Sequence, residues 1–520
     1  MKLKVSTSGI VQPYEQEISS ASLGNNVIQI NEVIKSAFNN SPPGTIFNPS
    51  ISVTYNDPAF PSVTQVVTPA VIPNYVPRIP VPPTWVQRGA DIDGEAASDF
   101  SGHSVSLSAD GSRVAIGAWG NDASGNLLSN AGHVRVYQYD ATKTTAVTNQ
   151  AASNFGPIGW NRLGGDIDGE AASDFSGISL SLSADGSRVA IGAYLNDASG
   201  NLLSVAGHVR IYEYKSLGNN WIQLGADIDG EAANDFSGRS VSLSADGSRV
   251  AIGADSNDAS GNLLSDAGHV RVYQYDSSGN NWVQLGADID GEAANDYSGW
   301  SVSLSADGSI VAIGAGSNDA TGSNAGHVRV YEYNSSENNW IQLGADIDGE
   351  VAFDNSGTSV SLSADGSRVA IGAETNDGKD SNAGHVRVYQ YDATKTSAQM
   401  DQTLPNFGPI GWNRLGADID GESANDFSGY SVSLSADGSI VAIGAYGNDA
   451  SGNLLSVAGH VRVYEYNSSG NNWIQLGADI DGEAAFDYSG GSVSLSADGS
   501  IVAIGAPSNA GGHVRVYKYS

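Results

Sequence analysis

The chain contains no cysteine, two methionines, and only 24 Lys+Arg against 57 Asp+Glu, which gives a formal net charge of −33 over 520 residues. Without cysteine there is no disulfide, no thiolate zinc or iron–sulfur ligation and no thiol nucleophile. Two methionines exclude a soft, Met-rich binding groove. The shortage of basic residues argues against nucleic acid as a partner, because phosphate recognition needs clustered Lys/Arg to release counterions. No run of about 18 apolar residues is available to cross a bilayer as a helix, so no transmembrane segment is expected. The opening MKLKVSTSGIVQPYEQ lacks the apolar stretch of a secretory signal.

What is there is unevenly placed. Residues 1–84 carry Lys2, Lys4, Lys35 and Arg78 against Glu15, Glu17, Glu32 and Asp57, so the whole net charge belongs to the residues after them. Twelve of the 16 prolines lie before residue 84, ending in Pro73, Pro77, Pro80, Pro82 and Pro83. That run reads as a stiff, extended linker over 73–84. Upstream, in 1–72, VSTSG, NNVIQI, SISVTY and TQVVTPAV are β-prone and INEVIKSAF has the pattern of a short helix, which predicts a small β-rich domain. An arm that orders only on a partner is the other reading of so much Pro, Ser and Asn.

From Trp85 to the end one unit recurs, W-x-x-L-G-A-D-I-D-G-E-A-A-x-D-F-S-G-x-S-V-S-L-S-A-D-G-S-x-V-A-I-G-A, then a loop and A-G-H-V-R-V-Y-x-Y. It opens at Trp85, Trp160, Trp221, Trp282, Trp340, Trp412 and Trp473, a period of about 60 residues with two copies enlarged by near-twin inserts before Trp160 and Trp412. SVSLS and HVRVYQY alternate, VAIGA is a short apolar run, and WIQLGADI is a fourth extended piece. Four short strands joined by Gly/Asp/Asn turns make an antiparallel blade, with A-D-G-S as a tight hairpin turn. Seven such blades predict an all-β, seven-bladed propeller. The first unit starts with its W-x-x-L-G strand alone and the last stops after a third strand, so Trp85 to Ile92 should complete the blade that lies between Gly491 and Tyr519. An open solenoid is the alternative, and the complementary ends argue against it.

The string D-F-S-G-x-S-V-S-L-S-A-D-G-S-x-V-A-I-G-A resembles the FG-GAP repeat of the integrin α-chain propeller and its microbial relatives, over residues 85–520. Phe100, Phe175, Phe236 and Phe427 match the family aromatic, Tyr297 and Tyr488 substitute for it, and Asn355 departs; Gly-Ala-Pro survives only at Gly505, Ala506 and Pro507. The resemblance implies the propeller fold. The family's D-x-D-x-D-G calcium loop is here only Ser-Ala-Asp-Gly-Ser, as at Ser108 to Ser112, and one carboxylate cannot provide the six to eight oxygens calcium takes. No metal and no cofactor are therefore expected.

Each unit carries D-I-D-G-E-x-x-x-D, from Asp91, Asp93, Glu95 and Asp99 to Asp479, Asp481, Glu483 and Asp487, and these account for 28 of the 57 acids. They could form metal sites or a field for cationic partners. The scaffold reading is that antiparallel pairing sets the G-H-V-R of the third strand, His133 and Arg135 in the first unit, against these aspartates. Seven of the eight histidines are in G-H-V-R. No Ser-His-Asp set, H-E-x-x-H or P-loop is present, and no catalytic residue stands out.

If repetition marks scaffold, function belongs where the blades differ. The residue after S-G is His103, Ile178, Arg239, Trp300, Thr358, Tyr430 or Gly491, and the residue after I-G-A is Trp119, Tyr194, Asp255, Gly316, Glu374, Tyr446 or Pro507. In the topology of the resembled family both positions ring the axis on one face, and the residue where the chain enters the propeller lies on the other. The expected binding residues are His103, Trp119, Tyr194, Arg239, Trp300, Tyr430 and Tyr446, types that dominate binding hot spots; surface drift is the competing account. The reading is a non-catalytic adhesion or recognition propeller for a protein or glycan, on an extracellular, cell or virion surface, attached or oligomerised through residues 1–84. The alternatives are a structural component of a particle and a glycan hydrolase or lyase with an axial acidic pocket.

Overall fold

The computed structural model describes residues 2–6, 14–17, 50–57, 60–67 and 83–520, apart from 123–127, 198–202, 259–263, 405, 450–454 and 509–510. The chain divides into two compact units, Met1–Pro82 and Pro83–Ser520. In the first, four strands pair antiparallel in the order Tyr14–Glu17, Lys2–Ser6, Ser50–Asp57, Phe60–Val67. The Tyr14–Glu17 strand was not marked by β-propensity. NNVIQI, the INEVIKSAF helix and linker residues 73–82 lie outside the described residues.

The second unit is a seven-bladed β-propeller. In blade 1 the strands run Ser104–Leu107, Arg113–Ala118, His133–Tyr139 and Trp160–Arg162 from the inside outward. The alternation of S-V-S-L-S has a double purpose. Val105 and Leu107 are buried in the core, while Ser106 Oγ accepts the Leu182 N–H of the next inner strand at 3.0 Å. Serine faces the neighbouring blade here, not water.

The fourth extended piece is broken in two. Trp160–Arg162 and Ile167–Asp168 both pair with His133–Tyr139, and the intervening Gly164 has φ of 72°. A Cβ on Gly164 would approach Trp221 Cδ1 to 2.8 Å, so this glycine supplies the left-handed turn and the room for the next blade's indole. That indole donates Nε1–H to Leu163 O at 2.8 Å. The same tryptophan-to-carbonyl bond recurs around the ring, with Arg88 O as the acceptor for Trp160.

Closure follows the sequence expectation. Trp85–Gln87 pairs with Tyr519–Tyr517 and completes the blade of Ser492–Leu495, Ile501–Ala506 and His513–Tyr519. Trp85 Nε1 donates to Leu476 O at 2.7 Å, and Leu107 N donates to Ser494 Oγ at 2.9 Å. Ile92, Val105, Ile116 and Trp160 pack with Ile501, Val514 and Val516 in one core across the junction.

Two loops depart from the repeat. The residue before the buried Asp of D-F-S-G has φ of 63° to 71° in every unit and is Ser98, Ser173, Asn234, Asn295 or Asn425 in five of them, but Phe353 and Phe486 in the other two. Those two rings are 63% and 57% exposed. Asparagine adopts the left-handed region at little cost and phenylalanine at a larger one. Phe353→Asn should therefore raise the unfolding free energy by about 1 kcal/mol, read from urea midpoints; an unchanged or lower midpoint would contradict this account of the loop.

Candidate ligand-binding site

The loop before each inner strand is held by one carboxylate. Asp99, 4% exposed, accepts the backbone N–H of Glu95 at 3.1 Å and of Ala96 at 2.9 Å, and Asn121 Nδ2 at 3.1 Å, all on Oδ2. Its equivalents in the other units are equally buried. The staple forces the next residue, the family aromatic position, into φ of 52° to 57° in all seven units. Asn355, the departure from the aromatic pattern, is thus the residue best suited to that backbone.

So held, the aromatics interleave with the variable residues after I-G-A. Trp119 stacks on Phe100 with centroids 4.4 Å apart and meets Phe175 at 4.7 Å; Tyr194 lies between Phe175 and Phe236 at 6.1 and 5.6 Å. The belt resumes at Phe427, Tyr446 and Tyr488. Between these arcs stand Asp255, Gly316 and Glu374, so the ring is chemically lopsided.

A cavity of about 360 Å³ opens at the centre, within the range of about 300–1,000 Å³ common to small-molecule sites. His103, Trp119, Tyr194, Arg239, Trp300 and Tyr430 line it together, converging from blades far apart in sequence. Tyr446 stands behind this wall, 4.5 Å from Tyr430. Phe175, Ile178 and Thr358 complete the lining. Sequence reasoning placed Ile178 and Thr358 in the variable ring but not among the expected contacts, and treated Phe175 as family framework; its position three residues before the variable one was the available signal.

Arg239 is the charged group of this lining. Its guanidinium lies 4.2 Å from the Trp300 ring centroid and 5.2 Å from that of Tyr194. Burial, reinforced by Arg239, holds His103 down to about 4, so the imidazole is neutral at pH 7. Burial pushes Asp255 up to about 6 against the pull of Arg239, and pushes Glu374 up to about 7. Tyr446 rises to about 12 through burial and then the charge of Glu374. Asp255 is 3% exposed with Oδ1 unpaired, and the buried Trp119 Nε1 also lacks a hydrogen-bond partner.

The repeated acids serve the scaffold in a way that differs from the expected pairing. His133 does lie opposite Asp168, and Arg135 makes a two-pronged contact with Asp166 at 2.8 Å on both oxygens. That arrangement recurs only at Arg387 and Asp418, the other unit followed by an insert. There Arg162 or Arg414 of the insert-bearing units holds the aspartate in place. In the other units the aspartate is taken by a glutamine, as Asp227 by Gln223 at 2.6 Å, and the arginine turns to the preceding unit, where Arg210 donates to Asp168 O at 2.8 Å and lies 3.3 Å from Glu170.

Glu170, His208 and Asp227 can bring ligand atoms within 4.8 Å of one another, and similar groups recur around the ring. Each contains the arginine as its resident positive charge, so a cation would have to displace a guanidinium. In the A-D-G-S turn, Asp110 Oδ1 is engaged by Ser108 Oγ at 2.7 Å and Ser112 N at 2.9 Å. No helix among the described residues is long and apolar enough to cross a membrane.

Searches with the sequence match no protein-family model and no curated protein. The class that fold and cavity define is a seven-bladed β-propeller with an axial aromatic cup.

Proposed function

We propose that this is a non-catalytic binding or adhesion protein that recognises a protein or glycan partner through its axial cup. The observation that supports it is the convergence of non-repeated aromatic and charged side chains from five blades on one cavity, within a chain that otherwise repeats itself. Large, rigid aromatic residues with an arginine among them are the residue types from which binding hot spots are built. The repeat strings support kinship with the FG-GAP propellers. The chain enters the ring where Thr84 N donates to Ser520 O, at the strand end away from the cup. On this reading residues 1–84 anchor the cup to a cell, secreted assembly or virion surface; attachment as a structural particle component would use the same residues.

The combined variant W119A/W300A/Y430A/Y446A should lose capture of partner on a glycan array or cell surface by 100-fold or more while keeping the β-sheet circular dichroism of the parent. Retained capture by a folded variant sinks the proposal. Running the array with and without calcium separates metal-dependent recognition from this one.

An enzymatic reading is favoured by Glu374 and Asp255, whose raised pKa values sit on single blades. Protonated carboxyl groups serve as general acids in glycoside cleavage. Neither residue lines the cavity, however, and Asp255 is enclosed. Glycan turnover abolished by Glu374→Gln would replace the binding proposal with the catalytic one.

A further inference from the structure

We infer that the cup takes a carboxylate-bearing sugar residue, of the uronic or sialic acid type, with its carboxylate on Arg239 and its ring against Trp300. This rests on the cup being the recognition site.

The Arg239 guanidinium presents five N–H donors in a planar fork suited to a carboxylate. Among the described residues it donates no side-chain hydrogen bond to the protein and forms no ion pair. Instead it lies against the rings of Tyr194 and Trp300, contacts that position the guanidinium while using none of its N–H donors. This contrasts with the arginines of the repeat. Arg135, Arg210, Arg271, Arg329, Arg387, Arg462 and Arg515 each have an acid within reach. In a chain with 57 acids and 24 Lys+Arg, this cation feels the buried Asp255, which stands outside the lining, but has no acid within ion-pair distance among the described residues, and its donors are left for an outside anion.

The cavity lining contains no carboxylate, and His103 adds no charge of either sign at neutral pH. Trp300, 38% exposed, offers indole surface beside the guanidinium, which fits an acid carried on a ring with an apolar face better than a bare anion. The net charge of −33 sets the size of the ligand. A long polyanion would run over the acidic surface, whereas a single terminal acid sugar meets only the cup, and charges beyond roughly 8–10 Å are screened at physiological salt.

The test titrates the full-length protein with methyl β-glucuronide, methyl β-glucoside, the methyl glycoside of N-acetylneuraminic acid, and acetate, followed by tryptophan fluorescence and calorimetry. At least one acid sugar should bind ten-fold or more tighter than the neutral glucoside and than acetate. Arg239→Gln should remove that preference with the melting temperature unchanged, and Arg239→Lys should retain part of it. Equal binding of glucuronide, sialoside and glucoside, or an acid preference that survives in Arg239→Gln, overturns the carboxylate assignment and leaves the cup as a neutral-glycan site. Acetate binding as tightly as the acid sugars overturns the sugar assignment. No response to any probe overturns this inference alone if the four-aromatic variant still loses partner capture, and overturns both if it does not. Should Arg239→Gln unfold, Trp300→Leu provides the second variant: it should weaken the acid sugars and leave acetate unaffected.

Discussion

Acidification from pH 7 to pH 4.5 should unfold this propeller, with most of the stability lost between pH 6.5 and 5. His103, His133, His208, His269, His327 and His385 are each held down to about 4, and His460 is also lowered, in every case first by burial and next by a nearby arginine. Nε2 of His208, His269, His327 and His460 has no hydrogen-bond partner that could stabilise an added proton. In the unfolded chain the same imidazoles titrate near 6.5. Between 6.5 and 4 the unfolded state thus binds more protons, and stability falls as pH falls. Each excess proton contributes about 1.4 kcal/mol per pH unit.

Carboxyl groups oppose this. Glu374 at about 7 and Asp255 at about 6 take up protons earlier when folded, which stabilises the native state as pH drops toward their unfolded values. Burial also raises Asp93, Glu170, Asp174, Glu231, Asp235, Asp348, Asp354 and Asp420, which act in the same direction with smaller shifts, so the seven histidines, displaced across the window from 6.5 downward, set the slope. Thermal melts across pH 4.5–7.5 check the slope, and a flat profile would contradict it. His208→Gln should reduce the steepness by about one proton's share.

Deleting residues 85–93 should cost on the order of 5 kcal/mol or more, by the scale of burying large side chains. The segment provides the outer strand opposite Tyr517–Tyr519, the Trp85 indole on Leu476 O, and Ile92, which is 2% exposed in the core shared by the first and last blades. Its loss leaves the edge of His513–Tyr519 unpaired, a template for aggregation. Trp221→Ala removes the equivalent indole from a blade whose strands are continuous in the chain, and should lower the melting temperature less and without aggregation. If the deletion melts like the parent, the ring is not locked by this strand.

The propeller was legible in the sequence because its information is local and repeated seven times. The tryptophan spacing set the number of blades, alternation in S-V-S-L-S and H-V-R-V-Y set the strands, and the mismatched ends set the closure. Local pattern misled where one side chain had two possible partners. Alternation in S-V-S-L-S did not reveal that its serines bond to the next inner strand, and the Gly164 turn splits a strand because the next blade's tryptophan needs its space. The arginine-to-aspartate pairing held only beside the inserts, where a second arginine holds the aspartate.

The candidate site was legible as two sets of variable positions, but not as a cavity. Residues 103, 239, 300 and 430 come together only because ring closure brings the starts of inner strands to one axis. Whether Arg239 would find an acid or two aromatic faces, and whether Glu374 and Asp255 would enter the lining or stand behind it, depended on packing between blades separated by about 60 residues or more. Sequence alone determined the strands, the repeat and the positions free to vary, because strand and turn preferences act over a few residues. The tertiary structure decided which of those free residues share a desolvated space, since burial and charge proximity are properties of the closed ring.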